Sequence, residues 1–228
     1  MTTTASPAAP KVRRPGPLLG AYALICSALL AYGHSLTRSE IALREAEDLR
    51  TSLVQALPPE LHDNDLLANT IQLERPDGTS TTIYRALRGA EVTAVAYNWT
   101  TEAGYGGPIS LIVGVSSEGR IVGVRILSHS ETPGLGDKID IRKSNWIRSF
   151  EGRWFDPAAP QQWAVRKDGG DFDQFAGATI TPRAVVGAVK ASLEFFAAHR
   201  SRLLATVTAA ERATAEPADG HRKEDKHE

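Results

Sequence analysis

The sequence predicts an α+β fold, in which a single N-terminal transmembrane helix precedes one domain whose helices flank a mostly antiparallel sheet. Two observations predict this fold. An uncharged apolar segment lies close to the N-terminus, and a series of short strand patterns is followed by helical patterns. Strands gathered first, with helices after them, are typical of α+β domains. The chain has 228 residues, of which 42% are hydrophobic, and this leaves room for one core of good size.

The apolar segment, residues 15–37, predicts a transmembrane anchor. It contains no charged side chain, and its centre from Leu18 to Tyr32 is strongly apolar. A helix that spans a bilayer needs roughly 20 such residues. A cleaved signal peptide is the alternative. No small-x-small cleavage site follows the apolar segment cleanly, and Ala31-Tyr32-Gly33 is only the nearest approach to one. The sequence therefore favours an anchor that is retained in membrane lipid.

The charged residues around the anchor predict its orientation. The basic residues that precede it are Lys11, Arg13 and Arg14, whereas the segment that follows mixes both signs of charge. By the positive-inside rule, residues 1–14 form a cytoplasmic tail. The main domain then lies on the opposite side of the membrane.

Residues 38–59 predict an amphipathic stalk helix. Thr37-Arg38-Ser39-Glu40 fits a capping box, and Pro58-Pro59 ends the pattern. The apolar residues that recur at helical spacing between them are Ala42, Ala46, Leu49, Leu53 and Leu57. This apolar side either packs on the domain or contacts a partner.

At the other end of the chain, residues 206–228 contain many charged side chains and few apolar ones that could be buried, which predicts a disordered tail.

The domain itself is predicted at residues 60–205. Four segments have strand patterns: Thr81–Leu87, Glu91–Asn98, Ile109–Ser116 and Arg120–Ser128. Ser117-Glu118-Gly119 joins the last two as a hairpin. Two later segments, Ile139–Phe150 and Pro182–His199, are predicted to be helices.

The composition argues against several classes of function. The net charge of −1 gives no electrostatic reason to expect a nucleic-acid partner. The one cysteine, Cys26, cannot form an intramolecular disulfide, and no Cys/His cluster has the spacing of a metal site, so no metal is predicted. Glycine patterns for nucleotide hydrolysis or NAD binding are also lacking.

The segment Asp173–Thr181 has the features of a phosphate-binding loop. Thr181-Pro182 is predicted as the N-cap and first residue of a helix, whose unpaired N–H groups attract anions. Thr179 lies just before it, and Gly177 and Ala178 let a phosphate ester approach the backbone. A small-residue turn that caps an ordinary helix is the simpler interpretation of the same residues.

Two motifs carry a resemblance to a known family. Asp173–Thr179 resembles the D-x-x-[ST]-G-A-T signature of FMN-binding domains, although Ala176 stands where Ser or Thr is usual. His129–Ile139, with its core Glu131–Gly136, resembles the second signature of that family. The wider sequence is most similar to the G subunits of Rnf (Rsx) ion-translocating electron transport complexes.

The resemblance implies a function and a set of site residues. FMN is expected as a phosphoester on the Thr179 hydroxyl, attached by a flavin transferase, with Asp173, Gly177 and Ala178 in the acceptor motif. Thr132 and Leu135 are expected to cover the flavin ring. The chain would relay electrons beside the other membrane subunits of a complex that couples electron flow to ion movement. Its main domain would lie on the periplasmic side of a bacterial inner membrane. It would act as an electron-transfer subunit without a catalytic residue of its own.

Two alternatives to this function remain open from the sequence. One is a protein like the C subunit of the sodium-translocating NADH:quinone reductase, which shares both signatures. The other is an anchored scaffold without flavin, in which Ala176 reflects loss of attachment.

Two residues near the second motif have alternative roles. His129 closes a strand and is interpreted as a hydrogen-bonded structural residue rather than a proton carrier. Glu131 either fixes its turn by accepting backbone N–H groups or is a solvated charge.

Overall fold

A computed structural model describes residues 16–75 and 78–206. The chain divides into two compact units after Glu47. The predicted tails at 1–14 and 206–228 lie outside the described residues, apart from Thr206.

The first helix, α1, extends from Gly16 to Ala56. Its segment Leu19–Arg38 has a mean hydropathy of 1.4 and is long and apolar enough to span a membrane. The predicted capping box at Thr37 is wrong, because the helix continues through it. The Thr37 hydroxyl donates instead to the carbonyl of Gly33, 3.1 Å away within the same helix. The predicted anchor and stalk are therefore parts of one helix, which ends just before Pro58.

Five strands form one antiparallel sheet in the order in which they occur along the chain. They are β1 (Thr70–Glu74), β2 (Ser80–Arg88), β3 (Glu91–Thr101), β4 (Ile109–Ser116) and β5 (Ile121–Ser128). The four predicted strands and the β4–β5 hairpin are confirmed. The sequence did not predict β1, since this short edge strand pairs with β2 alone and carries mainly polar side chains.

The second long helix, α2, extends from Ile180 to Leu203 and covers one face of the sheet. The side chains of β3 alternate between the faces. Val95, Tyr97 and Trp99 pack with α2, while Ala94 and Ala96 pack with the C-terminal end of α1. Tyr97 is buried, which raises the pKa of its phenol, and its hydroxyl donates to the Ser192 carbonyl at 2.8 Å.

Small residues let the end of α1 approach the sheet closely. Ala96, Gly114 and Gly123 are paired across β3, β4 and β5. A Cβ atom on Gly114 would lie 2.2 Å from the carbonyl oxygen of Ala56. Leu53 and Leu57 are buried on the same side. The apolar side of the predicted stalk thus packs, over this last stretch, on its own domain.

The predicted helix over residues 139–150 is wrong. The structure has two short 3-10 helices instead, Gly136–Ile139 and Trp146–Phe150. Polar side chains between them bond to the backbone and compete with helical hydrogen bonds: the Asp140 carboxylate accepts from Arg142 N–H, and the Ser144 hydroxyl from Trp146 N–H.

Candidate functional site

The two motifs, far apart in sequence, line one cavity of about 320 Å³. The first motif contributes Gly177, Ala178 and Thr179, together with the start of α2. The second contributes Glu131, Thr132, Leu135 and Gly136. The full lining also includes Tyr105, Ile180 and Thr181.

Aromatic packing holds the loop before α2 in place. Phe175 is buried, and its ring centroid lies 5.2 Å from that of Trp146. The Trp146 indole N–H donates to the carbonyl of Asp173 at 2.7 Å. Ala178 N–H closes a turn onto the Phe175 carbonyl, and Gly177 has a φ of 78° in that turn. This left-handed conformation favours glycine, so the tip of the loop keeps its shape without a side chain in the cavity.

Thr179, rather than Thr181, is the N-cap of α2. The predicted N-cap at Thr181 with Pro182 as first helical residue is therefore wrong, because the helix begins earlier, at Ile180. The Thr179 hydroxyl makes no capping hydrogen bond, and its carbonyl accepts the helical bond from Arg183 N–H at 3.2 Å. Thr179 thus presents its hydroxyl at the end of a helix, where the backbone N–H groups of the first turn favour an anion.

The second loop turns back on itself around one carbonyl group. The Thr132 carbonyl accepts from the N–H groups of Leu135 and Gly136, each at 3.1 Å, and Gly134 has a φ of 78° between them. The Leu135 side chain is 42% exposed and reaches the neighbourhood of Gly177, where an added Cβ would lie 3.9 Å from it. Leu135 therefore offers an apolar surface next to the first motif.

Glu131 joins three segments of the site. The residue as a whole is 5% exposed, so the interpretation of Glu131 as a solvated charge is wrong. One oxygen, Oε1, accepts from Gly106 N–H at 3.1 Å, and the other, Oε2, accepts from the Thr181 hydroxyl at 2.5 Å. A Cβ on Gly136 would lie 2.6 Å from Oε2, so only glycine fits beside it. His129 has a structural role here, since its Nδ1 accepts from Glu131 N–H at 3.1 Å.

Two charged residues close to the cavity are paired with partners outside its lining. Arg183, in the first turn of α2, pairs with Asp168 through two hydrogen bonds of 2.6 and 2.9 Å, which lower the pKa of the Asp168 carboxyl. Asp173 pairs with Arg166 at 3.2 Å and is not among the residues that line the cavity. The structure therefore brings together all of the predicted site residues except Asp173.

Five lining residues were not among the predicted site residues: Tyr105, Glu131, Gly136, Ile180 and Thr181. The glycine-rich run around Tyr105 could have indicated a place where the backbone comes close to another segment. A Cβ on Gly106 would lie 2.0 Å from the Ser130 carbonyl oxygen, so only glycine fits there. That close contact brings the loop onto the second motif. The exposed Ile180 carries no such signal, since an apolar residue at the start of a helix is normally assigned to the core.

The fold and the cavity together define an FMN-binding domain. The family model for the FMN-binding domain matches residues 104–194, which include both motifs and most of α2. The residues present fit a flavin mononucleotide: a free threonine hydroxyl stands at a helix N-terminus, next to a glycine turn and an exposed leucine.

Curated relatives define the family more narrowly. The G subunit of the ion-translocating oxidoreductase complex of Cereibacter sphaeroides is 50% identical over 190 residues, which are 83% of this chain and 86% of that protein. Its counterpart in Shewanella loihica is 46% identical, over 82% of this chain and 90% of its own. The counterpart in Shewanella piezotolerans is 42% identical, over 86% and 94%. The chain belongs to the family of G subunits of ion-translocating oxidoreductase complexes, as an electron-transfer flavoprotein.

Proposed function

We propose that this chain carries FMN as a phosphoester on Thr179 and relays electrons through it within a membrane complex that couples electron transfer to ion translocation. One observation carries the proposal: the Thr179 motif and the Thr132–Leu135 loop, separate in sequence, line the same cavity. The close relationship to the G subunits of such complexes supports it and favours it over a C-subunit-like protein.

Each lining group has a separate part in holding the cofactor. The first turn of α2 stabilises the phosphate at Thr179, and Gly177 and Ala178 leave the backbone accessible to it. Thr132 and Leu135 cover the ring and exclude water from one side of it. FMN, once bound, supplies the redox chemistry, and the protein supplies its retention, orientation and electrostatic surroundings.

Attachment requires a second protein, a flavin transferase, that recognises the acceptor loop. Asp173 suits recognition better than flavin binding, because its side chain is 65% exposed and lies outside the cavity lining. Gln174 and Ala176 are also exposed on this loop. We assign Asp173 to the surface that the transferase recognises, while the buried Phe175 keeps the loop in place.

The first test is whether the flavin is covalent. Full-length protein co-expressed with a flavin transferase is boiled in detergent, separated on a denaturing gel and examined for flavin fluorescence. Intact mass should increase by the mass of FMN less one water. A colourless band of unmodified mass would instead favour the scaffold without flavin.

A charge at Leu135 is expected to lower the midpoint potential of the flavin. Leu135→Asp places a carboxylate beside the ring, where it disfavours the added electrons. Two unit charges about 4 Å apart interact by about 1 to 4 kcal/mol across the range from bulk water to a protein surface. Redox titration measures the shift. Leu135→Asn, similar in size but neutral, is the control and should stay close to the wild-type potential. Equal potentials in all three proteins would mean that Leu135 lies away from the flavin.

The proposed orientation places the FMN-binding domain in the periplasm, anchored by the first part of α1. A reporter enzyme that is active only outside the cytoplasm, fused after Thr206, should be active. The same reporter fused to a chain that begins after Arg38 should be inactive, because the apolar segment is gone. Activity of a cytoplasm-only reporter at Thr206 would contradict the periplasmic orientation and the proposed place of the flavin.

A further inference from the structure

Glu131 has an unusual electrostatic position in the cavity. Among the described residues that line it, Glu131 is the only carboxylate, and no side chain is basic. The residue is almost fully buried, and the described hydrogen-bond donors to its carboxylate are both neutral, the Gly106 amide and the Thr181 hydroxyl. Negative charge that accumulates in this cavity is therefore not balanced by a neighbouring cation in the lining.

The segments packed against Glu131 carry few groups that can offset its charge. The ionisable side chains that they contribute are Tyr105, His129, Asp137, Lys138 and Arg183. Arg183 is already paired with Asp168, and Lys138 is exposed to solvent. Asp137 is buried and acidic, and its Oδ1 has no hydrogen-bond partner among the described residues. None of these groups, among the described residues, forms an ion pair with Glu131.

We propose that Glu131 is a redox-linked proton site, which binds a proton when the flavin in this cavity is reduced and releases it on reoxidation. The proposal rests on the proposed function, namely FMN esterified to Thr179. The phosphodiester carries one negative charge at the start of α2, and Glu131 carries another next to the same turn. Reduction adds a third charge to the cavity, and protonation of Glu131 removes one.

Reduction of the flavin and protonation of Glu131 together involve two electrons and two protons. Two electrons from the electron donor of the complex and one proton from solvent convert the oxidised ring to its anionic reduced form. One further proton from solvent binds a carboxylate oxygen of Glu131. When the electrons leave, both protons return to solvent. The Thr181 hydroxyl donates to Oε2, so it is in direct contact with the proposed proton site.

Infrared spectroscopy on the flavinylated full-length protein in detergent tests the proposal directly. The reduced-minus-oxidised spectrum should contain the C=O band of a protonated carboxylic acid, with a shift in D₂O. The band should disappear in Glu131→Gln and persist in Glu194→Gln, a control at an exposed position on α2. Lack of the band in the wild type, or its persistence in Glu131→Gln, would overturn the proposal.

Redox titration as a function of pH provides a second, quantitative readout. If Glu131 binds a proton on reduction, the wild type should take up one more proton per two electrons than Glu131→Gln over part of the pH range. Thr181→Val keeps the carboxylate but removes its donor, so its proton uptake should move to higher pH. This second variant tests the proposal even if Glu131→Gln does not fold or accept flavin. An unchanged pH dependence in Thr181→Val would count against it.

Denaturing-gel fluorescence, recorded before every titration, distinguishes a failure of the proposed flavin attachment from a failure of the proposed role of Glu131. If the wild type lacks covalent flavin, the proposed function fails and this inference falls with it. If the flavin is covalent but no carboxyl group is protonated on reduction, only the role of Glu131 is wrong.

Discussion

Thr179→Val is expected to abolish covalent flavin completely while the protein remains folded and in the membrane. Valine has nearly the same shape as threonine but lacks the hydroxyl to which the phosphate would be esterified. The threonine hydroxyl makes no capping hydrogen bond, so its loss removes no contact from α2. The measurement is fluorescence in a denaturing gel after co-expression with a flavin transferase, with circular dichroism to verify folding.

Thr132→Val is the matched control for this experiment. Thr132 lines the same cavity, and its carbonyl rather than its hydroxyl holds the second loop together. Covalent attachment should therefore survive in Thr132→Val, with a change in ring contacts at most. Fluorescence that persists in Thr179→Val, or that is lost in Thr132→Val alone, would show that the acceptor threonine has been assigned to the wrong loop.

Gly114→Ala is expected to destabilise the domain by about 2 kcal/mol, since inserting a methyl group into a packed contact typically costs about 1 to 3 kcal/mol. The new Cβ would lie 2.2 Å from the Ala56 carbonyl oxygen, which is backbone and cannot rotate away. The end of α1 must then move off the sheet and weaken the packing of Leu53 and Leu57. Thermal unfolding of the full-length protein in detergent measures the effect.

Gly187→Ala is the contrasting substitution. Gly187 lies in the middle of α2, and an added Cβ there meets no atom within 4 Å. Alanine should therefore stabilise the protein by roughly 0.5 to 1 kcal/mol, through its lower conformational entropy in the unfolded chain. If Gly114→Ala and Gly187→Ala unfold at the same temperature, the close contact between α1 and the sheet does not contribute as described.

Local sequence patterns predicted most of the regular structure. The strands β2 to β5 were found because β-branched and apolar residues alternate between turns, and Ser117-Glu118-Gly119 closes a hairpin in which Gly119 has a φ of 90°. Helix boundaries were less predictable. Thr37 and Thr181 lie inside α1 and α2, so a threonine with capping potential does not mark the start of a helix when the residues before it are already helical.

The 139–150 segment was predicted incorrectly for a related reason. Its apolar residues have helical spacing, and Ile139, Ile147 and Phe150 are indeed all buried. The polar residues between them bond to the local backbone and produce two separate 3-10 turns. Burial of the apolar side chains was thus predictable, but the backbone conformation that achieves it was not.

The sequence by itself determined the parts of the site that depend on neighbouring residues: the Gly177 turn, Thr179 before a helix, and the proline-glycine turn that presents Leu135. The tertiary structure alone decided which of these parts meet. Glu131 and Thr181 are 50 residues apart in the chain, yet their side chains share a buried hydrogen bond. The antiparallel sheet and the packing of α2 across it bring the two loops together, and this packing leaves no basic side chain among the described residues that line the cavity. Such long-range contacts depend on how the whole core closes, which no local pattern of residues encodes.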